Sequence, residues 1–195
     1  MRTATITRKT KETDINISVN LDGTGKHTIS TGVGFLDHML TALAVHGLFD
    51  LDVAVVGDLH IDSHHTIEDT ALVLGQAFNE ALGDKAGIIR TADSFVPMDE
   101  ALARVVIDLS GRPYSVFDAE FRAPMMGQFP TSLVEHFFES FAVTCRATLH
   151  AAVPYGRDDH HKTEALFKAL ARALDKATQL DQRRANTIPS TKGAL

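Results

Sequence analysis

Apolar and polar positions change rhythm several times along the chain. Residues 3 to 21 alternate in TATITRKT and DINISVNL, the period-two pattern of half-buried strands. Asp22-Gly23 reads as the turn that follows, and HTISTGVGF continues extended. In LDHMLTALAVHGLF the step becomes three to four, with Leu36, Leu40 and Leu43 on one face and Gly47 as the stop. LDVAVVGDLHI returns to a strand, broken at Gly57-Asp58. A second helix is predicted from near Ser63, because Ile67, Ala71, Leu74, Phe78 and Leu82 share a stripe that Gly83 closes.

The same order then recurs. ARVVIDLSG and RPYSVFDAEF read as strands, SLVEHFFESFAVTCRATLHAA as one helix, and ALFKALARALDKAT as a long helix with Leu166, Leu170, Ala173 and Ala177 on its stripe. VNLDG at 19–23 matches IDLSG at 107–111, an offset of 88; His38 matches His136 at an offset of 98. Two copies are too few for a solenoid, so the pattern predicts two similar fused halves, about 1–90 and 91–184, with a tail at 185–195. Strands followed by helices in each half predict one α+β domain, layered rather than doubly wound.

Composition narrows the function. The 195 residues can bury a large core without cross-links. The one cysteine, Cys145, lies in the apolar run FAVTCRATL, which reads as a packed thiol in a reducing compartment. A net charge of −6 argues against nucleic acid, which needs a basic face. No apolar run approaches the roughly eighteen residues of a membrane span, and MRTATITRKT lacks the apolar centre of a secretion signal. The cytoplasm is the expected location. The ten histidines remain to be explained.

They concentrate in a repeated spelling, DSHHTIED at 62–69 and DDHHKTEA at 158–165, at an offset of 96. With ten histidines and eight glutamates, one such motif is expected by chance only about 0.02 times. On a helix, His64 and Glu68 lie one turn apart on one face, as do His160 and Glu164. The neighbours His65 and His161 point roughly 100° away. Each helix therefore offers a chelating pair to one ion and a lone imidazole to another. Helix geometry and the repeat divide the donors into His38, His65, His160 and Glu164 on one ion, and His136, His161, His64 and Glu68 on the other. Each set leaves positions open for substrate or water. His27, His60 and His150 have neither a repeat partner nor chelate spacing, whereas His46 lies on the face of His38 two turns on. Imidazole and carboxylate suit Mn, Fe, Co, Ni or Zn alike. A two-metal hydrolase would bridge its ions with carboxylates, and a ferritin-like store would carry ExxH on four long helices; neither fits a histidine-dominated, strand-rich chain.

The chain closely resembles the imidazoleglycerol-phosphate dehydratase family in RKTKET (8–13), GFLDHML (34–40), GDLHIDSHHTIED (57–69), PMDEALARVVIDLSGRP (97–113), VEHFFESFA (134–142), DDHHKTEALFKA (158–169) and PSTKGAL (189–195). One departure is Thr41-Ala42, where other members often carry Asp-Gln. The resemblance implies an α+β fold of two similar halves with helices packed between two mostly four-stranded sheets. It implies dehydration of a phosphorylated imidazole diol to a ketone in histidine biosynthesis, with two manganese ions, an imidazolate and a diazafulvene intermediate. It implies trimers assembling into an octahedral 24-mer when metal is present. It further implies Glu12 as the proton-abstracting, substrate-binding base and Arg90, Arg112, Lys168, Ser190 and Lys192 as phosphate ligands; His46, by its place on the face of His38, is a further catalytic and substrate-binding candidate. Asp37, Asp62, Asp69 and Asp99 are candidates for orienting the ligating imidazoles.

Overall fold

The computed structural model describes residues 1–184, 187–193 and 195. The expected tail boundary at 185 lies outside the described residues. The first half runs β1 (Thr3–Lys9), β2 (Thr13–Asn20), β3 (His27–Ser30), α1 (Gly34–Gly47), β4 (Asp50–Gly57) and α2 (His64–Leu82). The second runs β5 (Thr91–Met98), β6 (Ala101–Asp108), β7 (Tyr114–Asp118), a small hairpin of β8 (Met125–Met126) and β9 (Phe129–Pro130), α3 (Ser132–Cys145), β10 (Thr148–Tyr155) and α4 (Asp159–Thr178). Apart from that hairpin, the second half repeats the first element for element.

The two sheets have matching orders, β1-β2-β4-β3 and β5-β6-β10-β7. In each, the inner strands alternate and bury one face. Ile15, Ile17 and Val19 of β2 are buried, as are Ala103, Val105 and Ile107 of β6, 88 residues on. β3 runs parallel to β4, and β7 parallel to β10. A parallel neighbour cannot be reached by a tight turn, so α1 and α3 are the crossover helices that make these pairings possible. The helices then pack across the halves, α1 against α4 and α2 against α3, between the two sheets. This is the α+β layering expected from the sequence.

The cross-packed helices approach closely. A Cβ at Gly75 would lie 2.5 Å from the Phe141 carbonyl oxygen and 2.9 Å from the Cys145 nitrogen. A Cβ at Gly47 would lie 3.1 Å from the Ala171 carbonyl oxygen. Gly47 aligns with Cys145 and Gly75 with Ala171, so each crossing holds one glycine, carried by opposite partners in the two pairs. Phenylalanines fill the surrounding core; Phe78 meets Phe141 edge-on at 5.7 Å, and Phe137 meets Phe167 at 4.9 Å. Such aromatic pairs add about 0.5–1.5 kcal/mol beyond the area they bury.

One expected element is corrected. The helix expected through Ala152 ends at Cys145; Arg146 is left-handed at φ 54°, and Thr148–Tyr155 is a central strand. The Ala147 nitrogen bonds back to the Ala142 carbonyl, closing the helix without a glycine. Leu48 does the same after α1, at φ 57°. Strand β5, which carries no expectation above, pairs along β6 in full register from Thr91↔Asp108 to Met98↔Ala101.

Candidate functional site

The crossed packing of the helices places the histidines. His38 lies in the second turn of α1, and His160 and Glu164 lie in the first two turns of α4, against which α1 packs. Glu164 Oε2 is 3.0 Å from His38 Nε2 and 3.1 Å from His160 Nε2. The matching crossing of α3 and α2 brings together His136, His64 and Glu68. Glu68 is 3.4 Å from His64 Nε2 through Oε2 and 3.4 Å from His136 Nε2 through Oε1. In each trio the donor atoms all lie within 4.8 Å of one another.

These groups fit a divalent cation. Bonds of about 2.0–2.2 Å to nitrogen and oxygen leave neighbouring donors roughly 3.0–3.5 Å apart, the spacing of each histidine from its glutamate. His136 Nε2 is buried and has no hydrogen-bond partner among the described residues, which suits a lone pair directed at a cation. Burial works to raise the Glu164 carboxyl, but hydrogen bonds from Lys168 and His38 outweigh it and hold the group at about 2. Glu164 is thus an anion across the working range. Phe35 walls the first trio, its ring 5.1 Å from that of His160 and 6.3 Å from that of His38.

His65 and His161 do not join these trios within one chain; each turns to the other face of its helix, as adjacent helical positions must. His65 Nδ1 lies 3.0 Å from Asp58 Oδ2, and its Nε2 is 4.0 Å from Glu12 Oε1. His161 Nδ1 lies 2.9 Å from Glu100 Oε2, and its Nε2 is 3.9 Å from Asp99 Oδ2. Asp58 and Glu100 therefore hold the rings. Neither was named from the sequence. Of the four aspartates proposed for that task, only Asp99 approaches a ring. Asp37 accepts from Thr31, Asp62 from the His64 backbone nitrogen, and Asp69 from the Thr13 hydroxyl while pairing with Arg8.

Glu12 sits in the turn between β1 and β2. Thr10 Oγ1 accepts from the nitrogens of Glu12 and Thr13, and the Glu12 carbonyl accepts from Asp58 N, which ties this turn to the loop holding His65. The Glu12 carboxylate itself accepts no hydrogen bond among the described residues. His46, further along α1, is held below the ordinary imidazole range by burial and then by the Lys168 and Arg172 cations, so it is neutral at pH 7.

Four of the five expected phosphate ligands share one cleft of 610 Å³: Arg90, Arg112, Ser190 and Lys192, with Arg184, which was not foreseen. Arg90 is fixed there by a fork onto Asp108 at 2.7 and 3.0 Å and by a bond to the Pro189 carbonyl at 2.7 Å. The fifth, Lys168, is not in this cleft; it pairs with Glu164 at 2.6 Å.

A family model described as imidazoleglycerol-phosphate dehydratase matches residues 31–174. The chain belongs to the imidazoleglycerol-phosphate dehydratase family. The dehydratase of Roseiflexus sp. (strain RS-1) is 59% identical over 194 residues, covering 100% of this chain and 98% of that protein. That of Chloroflexus aggregans is 60% identical over 194 residues, covering 100% and 95%. Among solved structures, the Staphylococcus aureus dehydratase superposes with a TM-score of 0.83 at 40% identity, covering 92% of this chain and 99% of that one. The Pyrococcus furiosus dehydratase gives a TM-score of 0.84 at 36% identity, covering 97% and 100%. The clusters, the Glu12 turn and the cationic cleft are therefore read on a dehydratase-family scaffold.

Proposed function

We propose that the chain is a metal-dependent hydro-lyase that converts imidazoleglycerol phosphate to imidazoleacetol phosphate and water in histidine biosynthesis. The observation that carries this reading is the pair of matched His/His/Glu trios, because a five-membered ring with two nitrogens presents two donors. Manganese is the proposed ion, two per active site. Ions held by these trios would supply the Lewis acidity that favours the substrate's imidazolate at neutral pH, which the diazafulvene route to loss of the neighbouring hydroxyl requires.

This chain's residues supply the rest. His38, His160 and Glu164 would hold one ion, and His64, Glu68 and His136 the other. The Glu12 carboxylate, with its lone pairs unengaged, takes the carbon-bound proton. Neutral His46 hydrogen-bonds the substrate. Arg90, Arg112, Ser190 and Lys192 grip the phosphate, and the bond from Arg90 to the Pro189 carbonyl keeps the tail in place. Lys168 enters this reading through Glu164 as well as through the phosphate. Among the described residues neither trio has a fourth protein donor, and each chain carries two imidazoles facing elsewhere. His65 and His161 of one copy would complete the trios of neighbouring copies, which calls for self-association: a trimer without metal and an octahedral 24-mer with it. The location is cytoplasmic; among the described residues no helix is long and apolar enough to cross a membrane.

The test is turnover of imidazoleglycerol phosphate, read as the ketone's enol absorbance in alkali, with manganese measured on the same sample. Ketone formation that disappears with chelator and returns with manganese is the expected result. Two bound ions per chain without ketone would replace this reading with metal storage or hydrolysis.

A further inference from the structure

We infer that Glu100 is a positioning residue that fixes the tautomer of His161, and that it does so more rigidly than Asp58 does for His65. The inference rests on the proposed role of both imidazoles as ligands, and it concerns how the chain prepares them.

An ionised carboxylate only accepts hydrogen bonds. Glu100 Oε2 at 2.9 Å from His161 Nδ1 therefore requires the proton on Nδ1 and leaves the lone pair on Nε2 for an ion. The other oxygen of Glu100 is also engaged: Oε1 accepts from the Arg157 nitrogen at 2.9 Å and the Asp158 nitrogen at 2.7 Å. Asp158 is the N-cap of α4, with its side chain accepting from the His161 nitrogen. The carboxylate of Glu100 is thus held at both oxygens, and it cannot turn over without stranding two backbone donors. Asp58 differs. Its two oxygens lie 3.2 and 3.0 Å from His65 Nδ1, and its side chain has no other hydrogen-bond partner among the described residues. Either oxygen can serve the ring.

The difference makes the isosteric amide informative. In Glu100→Gln, the carbonyl is kept on the Arg157 and Asp158 nitrogens, since the opposite orientation would leave two donors facing an NH2 group. The NH2 then donates to His161 Nδ1, and the ring proton moves to Nε2, which blocks coordination. In Asp58→Asn, the side chain can turn its carbonyl to the ring and keep the original tautomer. In Glu100→Ala, the ring is released to water, while both backbone donors lose their acceptor.

The experiment is manganese titration of the assembled protein, with free ion read by electron paramagnetic resonance and melting of the metal-free form recorded in parallel. Wild type should take two ions per chain. Glu100→Gln should keep one ion and bind the second about 10- to 100-fold more weakly, the range typical for loss of an outer-shell partner. Asp58→Asn should bind both ions with close to wild-type affinity, because its carbonyl preserves the tautomer. Glu100→Ala should fall between these in affinity yet melt lowest of all. Two ions bound by Glu100→Gln with wild-type affinity would overturn the inference and leave the proposed function standing. So would an affinity order that follows the melting order, since that marks a purely structural role. A wild type that takes up no manganese would overturn both.

Discussion

Glu12 and Glu100 occupy the same place in the two halves, the turn between the first two strands, since β1/β2 and β5/β6 pair in equivalent registers 88 residues apart. Their surroundings differ. The Glu12 side chain is 54% exposed and stands 4.0 Å from a histidine nitrogen without a hydrogen bond to it. The Glu100 side chain is 23% exposed and accepts three hydrogen bonds. Hydrogen bonding to His161 first, and then to the Asp158 and Arg157 nitrogens, holds its carboxyl far below the usual range. A carboxylate stabilised that way is a poor base, whereas an unengaged one can take a proton. A repeated scaffold can thus present the same His/His/Glu trio twice while leaving one of two matched carboxylates unengaged and holding the other at both oxygens.

The largest expected effects come from the two trios themselves. His64→Ala and His160→Ala each remove a donor from a different trio. Each is expected to lose one ion and to reduce kcat by at least about a thousandfold if, as proposed, both ions act on one ring. A variant that kept half the activity would show two separate sites. Next comes Glu12→Gln, expected to lower kcat by about 10²–10⁴ while manganese content stays at the wild-type level. Loss of metal together with activity would make Glu12 a ligand rather than a base. A smaller effect is expected in the cleft: Arg112→Ala and Lys192→Ala should raise KM by about 10- to 100-fold each, the loss of a charge-assisted hydrogen bond, with kcat changed less.

The smallest effect concerns acid stability of the metal-free chain. The Glu164 carboxyl is held at about 2 against an ordinary value of 4.5. A depressed acid stabilises the fold fully above its unfolded value and loses that contribution as the pH falls. Stability should therefore decline between about pH 4.5 and pH 2, and Glu164→Gln should flatten that slope in denaturant titrations at each pH. An unchanged slope would mean that Lys168 and His38 do not hold the carboxylate.

Much of the site was readable because it obeys helix periodicity. The spacing of His64 to Glu68 and of His160 to Glu164 puts each pair on one face whatever the rest of the chain does. The repeat then pointed to His38 and His136. The ring-holding carboxylates were hidden for a physical reason: Glu100 is 61 residues from His161 and reaches it only through the turn that β5 and β6 create. Asp58 lies close in sequence to His65, but in an irregular loop whose path no period describes. Asp37, Asp62 and Asp69 are sequence neighbours of the candidate ligands, and the Thr hydroxyls and the backbone claim all three. The end of α3 was misjudged because apolar residues continue from helix to strand without a glycine or proline between; only the left-handed Arg146 marks the change. Arg184 follows α4 in a segment with no periodic pattern, so nothing in the sequence linked it to Arg90 and Arg112.

The reading stands or falls on whether the two crossed helix pairs each hold an ion. Anomalous diffraction at the manganese edge from crystals grown with the metal tests it most directly. Two peaks per chain are predicted, one among His38, His160 and Glu164 and one among His64, Glu68 and His136, each with His65 or His161 from a neighbouring copy beside it. A single peak, or peaks away from both trios, would contradict the account.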